Sequence, residues 1–169
     1  MKKILIILTL IVSILVINKE DKLIIPEESI RFRVIANSNS TEDQLLKKEI
    51  LKNLSEEIDN IQTNDSIVET REYIKENIPK IEEIVNNTIK ENNSTKDFHI
   101  NYGKNYFPEK VYNNVIYKEG NYESLVITLG EGSGKNFWCV LFPPLCLVNE
   151  QDDNIEYKSI VKEIIKKYF

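Results

Sequence analysis

The chain has 169 residues, 41% of them apolar and 29% charged, the balance of a folded globular domain and not of a disordered one. Net charge is −5, and setting aside residues 1–22, which hold four Lys and two acids, leaves 18 bases against 25 acids, or −7. With only three Arg (Arg31, Arg33, Arg71) and this acidic balance, no nucleic-acid partner is expected.

The amino terminus reads as an export device. Lys2 and Lys3 precede a fourteen-residue apolar run, Ile4 to Ile17, broken only by Thr9 and Ser13. No small-x-small pair marks a cleavage site, so residues 1–18 are a signal peptide or an uncleaved signal anchor, with a membrane contact through this segment. The two lysines stay in the cytoplasm and the rest of the chain lies outside. Residues 19–29, charged and carrying Pro26, suit a tether, and residues 30–169 form one extracytoplasmic domain.

Within that domain, Ile30–Ile35 alternates apolar and basic residues as a strand does. The turn Asn37-Ser38-Asn39-Ser40-Thr41 follows, with short side chains suited to capping a helix, and Glu42 and Asp43 complement the helix dipole. Leu46, Ile50, Leu54, Ile58 and Ile61 then recur at helical spacing, predicting an amphipathic helix of about five turns. Ser66 to Glu69 is a capping box. Beyond it the spacing predicts helices near 65–77 and 79–91, or a single helix kinked at Pro79. After residue 96 the composition shifts to aromatic residues and Gly. Strands are predicted over 97–106, 110–117, 122–129 and 136–142, and a closing helix over 155–168. The expected fold is a single α+β domain: an N-terminal strand, two or three helices, an antiparallel sheet of about four further strands, and a C-terminal helix.

No chemical motif dominates. Cys139 and the single histidine, His99, could pair as nucleophile and base, which defines an alternative reading as a small exported cysteine-dependent hydrolase. Against it, Cys139 lies inside an apolar strand and not at a helix start, where a thiolate would be stabilised. Two readings of Cys139 and Cys146 stay open: a disulfide across the Pro143-Pro144 turn, or two buried thiols. Gly130–Gly134 followed by Lys135 lacks the Gly and Ser/Thr spacing of a phosphate loop and reads as a hairpin loop. No cofactor is expected, and the scattered acids, the lone His and two Cys match no metal site.

Three stretches match a known family more closely than these patterns require. They are Ser29 to Ser40 (SIRFRVIANSNS) with Asp43, Gln44 and Lys47, then Tyr106-Phe107-Pro108 running to Tyr112, and Leu129 to Cys146 (LGEGSGKNFWCVLFPPLC). Together they resemble stage II sporulation protein R of endospore-forming Firmicutes, with Asn39 where Asp is usual and Phe137 where a second Trp is common. The resemblance implies a signalling protein and not an enzyme. Such a protein is made in the forespore and exported into the space between forespore and mother cell. There it activates a membrane-embedded aspartic protease of the mother cell, the peptidase that processes pro-sigma-E. The candidate partner-binding residues are Arg31, Arg33, Asn37, Ser38, Tyr106, Phe107, Pro108, Gly130, Glu131, Gly132, Gly134, Asn136 and Trp138.

Overall fold

A computed structural model of the chain describes residues 23–112, 115–146 and 163–169. The targeting segment, the start of the tether and most of the closing helix lie outside the described residues. Among those described, no helix is long and apolar enough to cross a membrane.

The elements are β1 (Leu23–Ile24), β2 (Ile30–Ile35), α1 (Thr41–Asn53), α2 (Ser55–Gln62), α3 (Ile67–Glu91), β3 (Phe98–Phe107), β4 (Lys110–Tyr112), β5 (Val115–Tyr117), β6 (Gly120–Leu129) and β7 (Asn136–Phe142). Residues 163–168 are helical. The architecture is α+β, as the patterning predicts. The main sheet is mixed, in the order β3-β6-β2-β7. β2 lies inside it, parallel to β6 and antiparallel to β7, while β3 pairs antiparallel with β6 along ten residues. A second, small sheet runs β1-β5-β4.

Strand period 2 divides the main sheet's side chains cleanly. Ile30, Phe32 and Val34 of β2, with Leu125, Ile127 and Leu129 of β6 and Leu141 of β7, face the helices and form the main core. Leu46, Ile50, Leu54, Ile58 and Ile61 return the packing from α1 and α2, and Ile74, Ile81, Val85 and Ile89 do so from α3. The lower half of the opposite face, nearest the start of β2, is covered by the small sheet: Ile25, Val115 and Tyr117 pack with Val140 and Leu145, and Ile164 and Ile165 join them.

Three local departures from the periodic reading have physical causes. The long first helix breaks at Leu54, where the Ser55 hydroxyl donates to the Lys52 carbonyl at 2.7 Å and ends one ladder as another begins. α3 continues through Pro79, where the missing N–H falls on an exposed stretch and leaves the Lys75 carbonyl open to solvent and not buried without a partner. The predicted strand 110–117 is two antiparallel strands, β4 and β5, with Val111 opposite Ile116.

Side chains also fasten the helices down. Arg71 of α3 donates from Nε and Nη2 to the two Glu123 carboxylate oxygens, both at 2.8 Å, and Tyr102 donates to the same carboxylate at 2.6 Å. The Arg71 bond, then the Tyr102 bond, hold Glu123 below the usual carboxylate range. Gln62 of α2 makes a two-way bond with the Cys146 backbone, at 3.2 and 2.8 Å. The turn at Pro143-Pro144 brings Cys146 back beside Cys139, and the two sulfurs are joined in a disulfide within the core.

Candidate functional site

β2 and β6 run parallel, so the segments that follow them emerge at the same end of the sheet. Asn37–Ser40 and Gly130–Lys135 therefore meet, and they are braced to each other. The Asn37 side-chain oxygen accepts from Glu131 N at 3.0 Å, and its backbone oxygen accepts from Ser133 N at 3.1 Å and Ser133 Oγ at 2.7 Å. Gly134 N donates to Ala36 O at 2.9 Å, and Lys135 N donates to the Asn39 side chain at 2.8 Å. An Asp at position 39 would offer the same acceptor, so Asn39 preserves the brace.

The first turn of α1 anchors this apex. Asp43 Oδ2 accepts from the Asn37 side chain at 2.8 Å and from Ser38 Oγ at 2.6 Å, and Ser40 caps the helix at Asp43 N. The Ser38 and then the Asn37 bonds hold the Asp43 carboxyl below its ordinary value. One turn on, Gln44 donates to Ser38 O at 2.8 Å, and Lys47 reaches Lys135 O at 3.0 Å. Burial, then the charges of Lys48 and Lys135, push the Lys47 amine down. The loop comes so close that side chains are excluded from it. A Cβ on Gly134 would sit 2.2 Å from Ser38 O, and Gly130 takes φ +52° with Asn37 Oδ1 only 2.3 Å from where its Cβ would be.

Below the apex, the sheet face turned away from the helices carries both arginines of β2. Arg31 is 1% exposed and lies under the small sheet, its guanidinium carbon 3.3 Å from the Tyr122 ring centroid and 5.3 Å from that of Phe107. Arg33, two residues nearer the apex, is half-buried. Its guanidinium carbon stands 5.6 Å from the Trp138 ring, and the Asn136 amide oxygen accepts from its Nε at 2.9 Å and Nη2 at 2.6 Å. Lys110 Nζ lies 5.2 Å from the same Trp138 ring, which is thus flanked by two cations, and Phe107 packs edge-on against it at 5.2 Å. Across β6, Asn101 and Asn105 of β3 are linked at 2.8 Å, and Asn105 donates to Ser124 Oγ at 3.0 Å.

The comparisons with known proteins bear on this arrangement. The profile of stage II sporulation protein R matches residues 26–152, a span that holds the apex, the arginine face and the disulfide. The chain belongs to the stage II sporulation protein R family. It is also 35% identical over 158 residues to stage II sporulation protein R of Bacillus subtilis (strain 168), covering 88% of this chain and 70% of the relative. No solved structure matches the chain. Its role is therefore in sporulation.

This member of the stage II sporulation protein R family distributes the candidate residues unevenly. Asn37, Ser38, Gly130, Glu131, Gly132 and Gly134 converge at the apex, and Arg33, Asn136 and Trp138 adjoin it on the open face. Tyr106, 56% exposed and donating to Glu119 at 3.4 Å, and exposed Pro108 lie at the far end of β3. Two candidates are corrected as contact residues. Arg31 and Phe107 (0% exposed) are interior, because the small sheet covers their half of the face. The pairing of Cys139 with His99 is corrected too. Cys139 points into the helix-side core and is disulfide-bonded, whereas His99 sits on the opposite face of β3 with β6 and β2 between the two strands.

Patterning gives Asp43 only a helix-dipole role and gives Gln44 and Lys47 none, although Lys47 stands three and four residues from the other two, a spacing that lets it meet either. Lys110 gives no signal, since its partner Trp138 is distant in sequence. Among the described residues, no three His, Cys, Asp or Glu converge as a metal-binding group. A cleft of about 650 Å³ lies beside Ser29 and Gly120, where Arg71 and Lys104 face Glu27, Glu28, Glu119 and Glu123; this mixed lining selects no single ligand charge.

Proposed function

We propose that this protein is an exported sporulation signal. In this reading it is made in the forespore and delivered to the space between forespore and mother cell, tethered or released through its N-terminal segment. It switches on a membrane-embedded aspartic protease of the mother cell, which then processes pro-sigma-E. The observation that carries the reading is family membership over residues 26–152. The geometry accords with it, because the residues that carry the resemblance build a braced apex and an arginine–tryptophan face.

A contact-driven activator works by binding the active state of its target more tightly than the inactive one. A difference of about 1–3 kcal/mol gives roughly 5- to 150-fold activation. A braced apex suits this task because its loops are ordered before binding, so little entropy is lost on contact.

The test is complementation in a sporulating host lacking its own family member, with pro-sigma-E processing followed by immunoblot. The wild-type chain restores processing, and so does Cys139→Ala/Cys146→Ala at matched protein level. Stable, exported wild-type protein without processing would sink the reading. Loss of processing in Cys139→Ala alone, at unchanged level, would revive the hydrolase.

A further inference from the structure

The upper half of the sheet face opposite the helices has no cover among the described residues. It is bounded above by the Gly130–Lys135 loop, where a Cβ on Gly132 would meet Thr128 and Ile35, and below by β4 with Lys110. Its floor is Ile35 and Arg33 of β2, Thr128 of β6 beside buried Val126, His99, Asn101 and Asn105 of β3, and Asn136 and Trp138 of β7.

The charge of this strip contrasts with the rest of the chain. The protein holds 27 acids against 22 Lys and Arg, yet no Asp or Glu occupies any position on this face of the four strands. Among the described residues, the ion pairs are Lys52–Glu49, Arg71–Glu123 and Lys80–Glu57, so neither Arg33 nor Lys110 has a carboxylate partner. Arg31, buried beneath, adds a third cation that is likewise met by aromatic rings and backbone carbonyl and not by a carboxylate. Two cations beside a half-buried indole, with Arg31 buried below them in an acidic protein, are electrostatically complementary to an anion.

The geometry points to this strip as a docking groove for an extended, acidic segment of a partner protein. Alternate residues of an extended segment face the same way. Its carboxylates would then reach Arg33 and Lys110 on either side of Trp138, while the Asn101, Asn105 and Asn136 amides meet its backbone. The groove rests on the partner reading above for its biological target, the outer segments of the protease, but its chemistry is testable without that target.

Trp138 is the single tryptophan of the chain and lies in the groove, so its emission reports occupancy. The purified full chain is titrated with hexaglutamate, hexalysine and the oligonucleotide dT12. Hexaglutamate is expected to give a saturable change that weakens as salt rises. In Lys110→Glu the affinity falls by about tenfold or more, while Lys90→Glu, on an exposed helix surface, leaves it unchanged. No response to hexaglutamate, an equal response to hexalysine, tighter binding of dT12, or an undiminished Lys110→Glu would each overturn the groove. The same proteins enter the complementation assay. A wild-type chain that binds hexaglutamate but restores no processing keeps the groove and removes the protease as its target. One that restores processing without binding removes the groove alone.

Discussion

Asp43 accepts two short hydrogen bonds from the turn that precedes its own helix, and through Asn37 it reaches the loop beyond β6. Replacing it with Ala leaves the Asn37 amide and Ser38 hydroxyl without their charged acceptor, at a cost of about 2 kcal/mol. The pH dependence has a definite sign. The folded carboxyl titrates below its ordinary value of 3.8, so its stabilisation is complete above that value and is lost as pH falls through the folded one. Urea denaturation is therefore expected to show Asp43→Ala about 2 kcal/mol less stable at pH 7, with the gap closing as pH falls below 3.8. A gap independent of pH would mean that the carboxylate contributes packing and not charge. At this scale the sequence was partly legible. The alternation in Ile30–Ile35 assigns Arg31 and Arg33 to one face, but burial of the first and exposure of the second depend on β1, β4 and β5, which arrive from elsewhere in the chain.

Among the elements, α3 makes the sharpest energetic statement. An interior proline costs a helix about 3 kcal/mol through the lost hydrogen bond and the clash with the preceding turn. Proline also restricts the unfolded chain, which offsets up to about 1 kcal/mol. Pro79→Ala should thus stabilise the domain by about 2 kcal/mol, read as a rise in the denaturation midpoint. A fall would show that the packing of α3 on α1, which includes the Asn53–Thr88 bond of 2.9 Å, depends on the proline. Helical periodicity and caps were readable because they depend on residues within a turn or two. The break at Leu54 was not, since it turns on a single hydroxyl. The division of 110–117 into two strands was missed, although the sequence between them, Asn113-Asn114, is a composition suited to tight reversals.

For the molecule as a whole, the disulfide closes a short loop between β7 and the segment pinned by Gln62. Its removal in Cys139→Ala/Cys146→Ala is expected to cost about 2–3 kcal/mol, measured by urea denaturation, with the sheet order intact because β7 is still paired with β2 along its length. The α+β class could be read from composition alone, as helices fill one half of the chain and strands the other. The mixed sheet could not, because parallel pairing of β2 with β6 is a contact between distant segments that leaves no local pattern.

That pairing also sets a timetable. β2 is among the first strands made, yet its neighbours β6 and β7 are the last two, with Arg31 aligned to Ser124 on one side and Val140 on the other. Chains grow from the amino terminus, so β2 has no neighbour in the sheet until β6, Gly120–Leu129, has been synthesised. Long-range closures of this kind are also slow. Arg33 meets Trp138, and Asn37 meets Ser133, only once β7 and the loop before it have been made. A product interrupted before β6 carries every residue of the first motif but has neither the braced apex nor the arginine–tryptophan face.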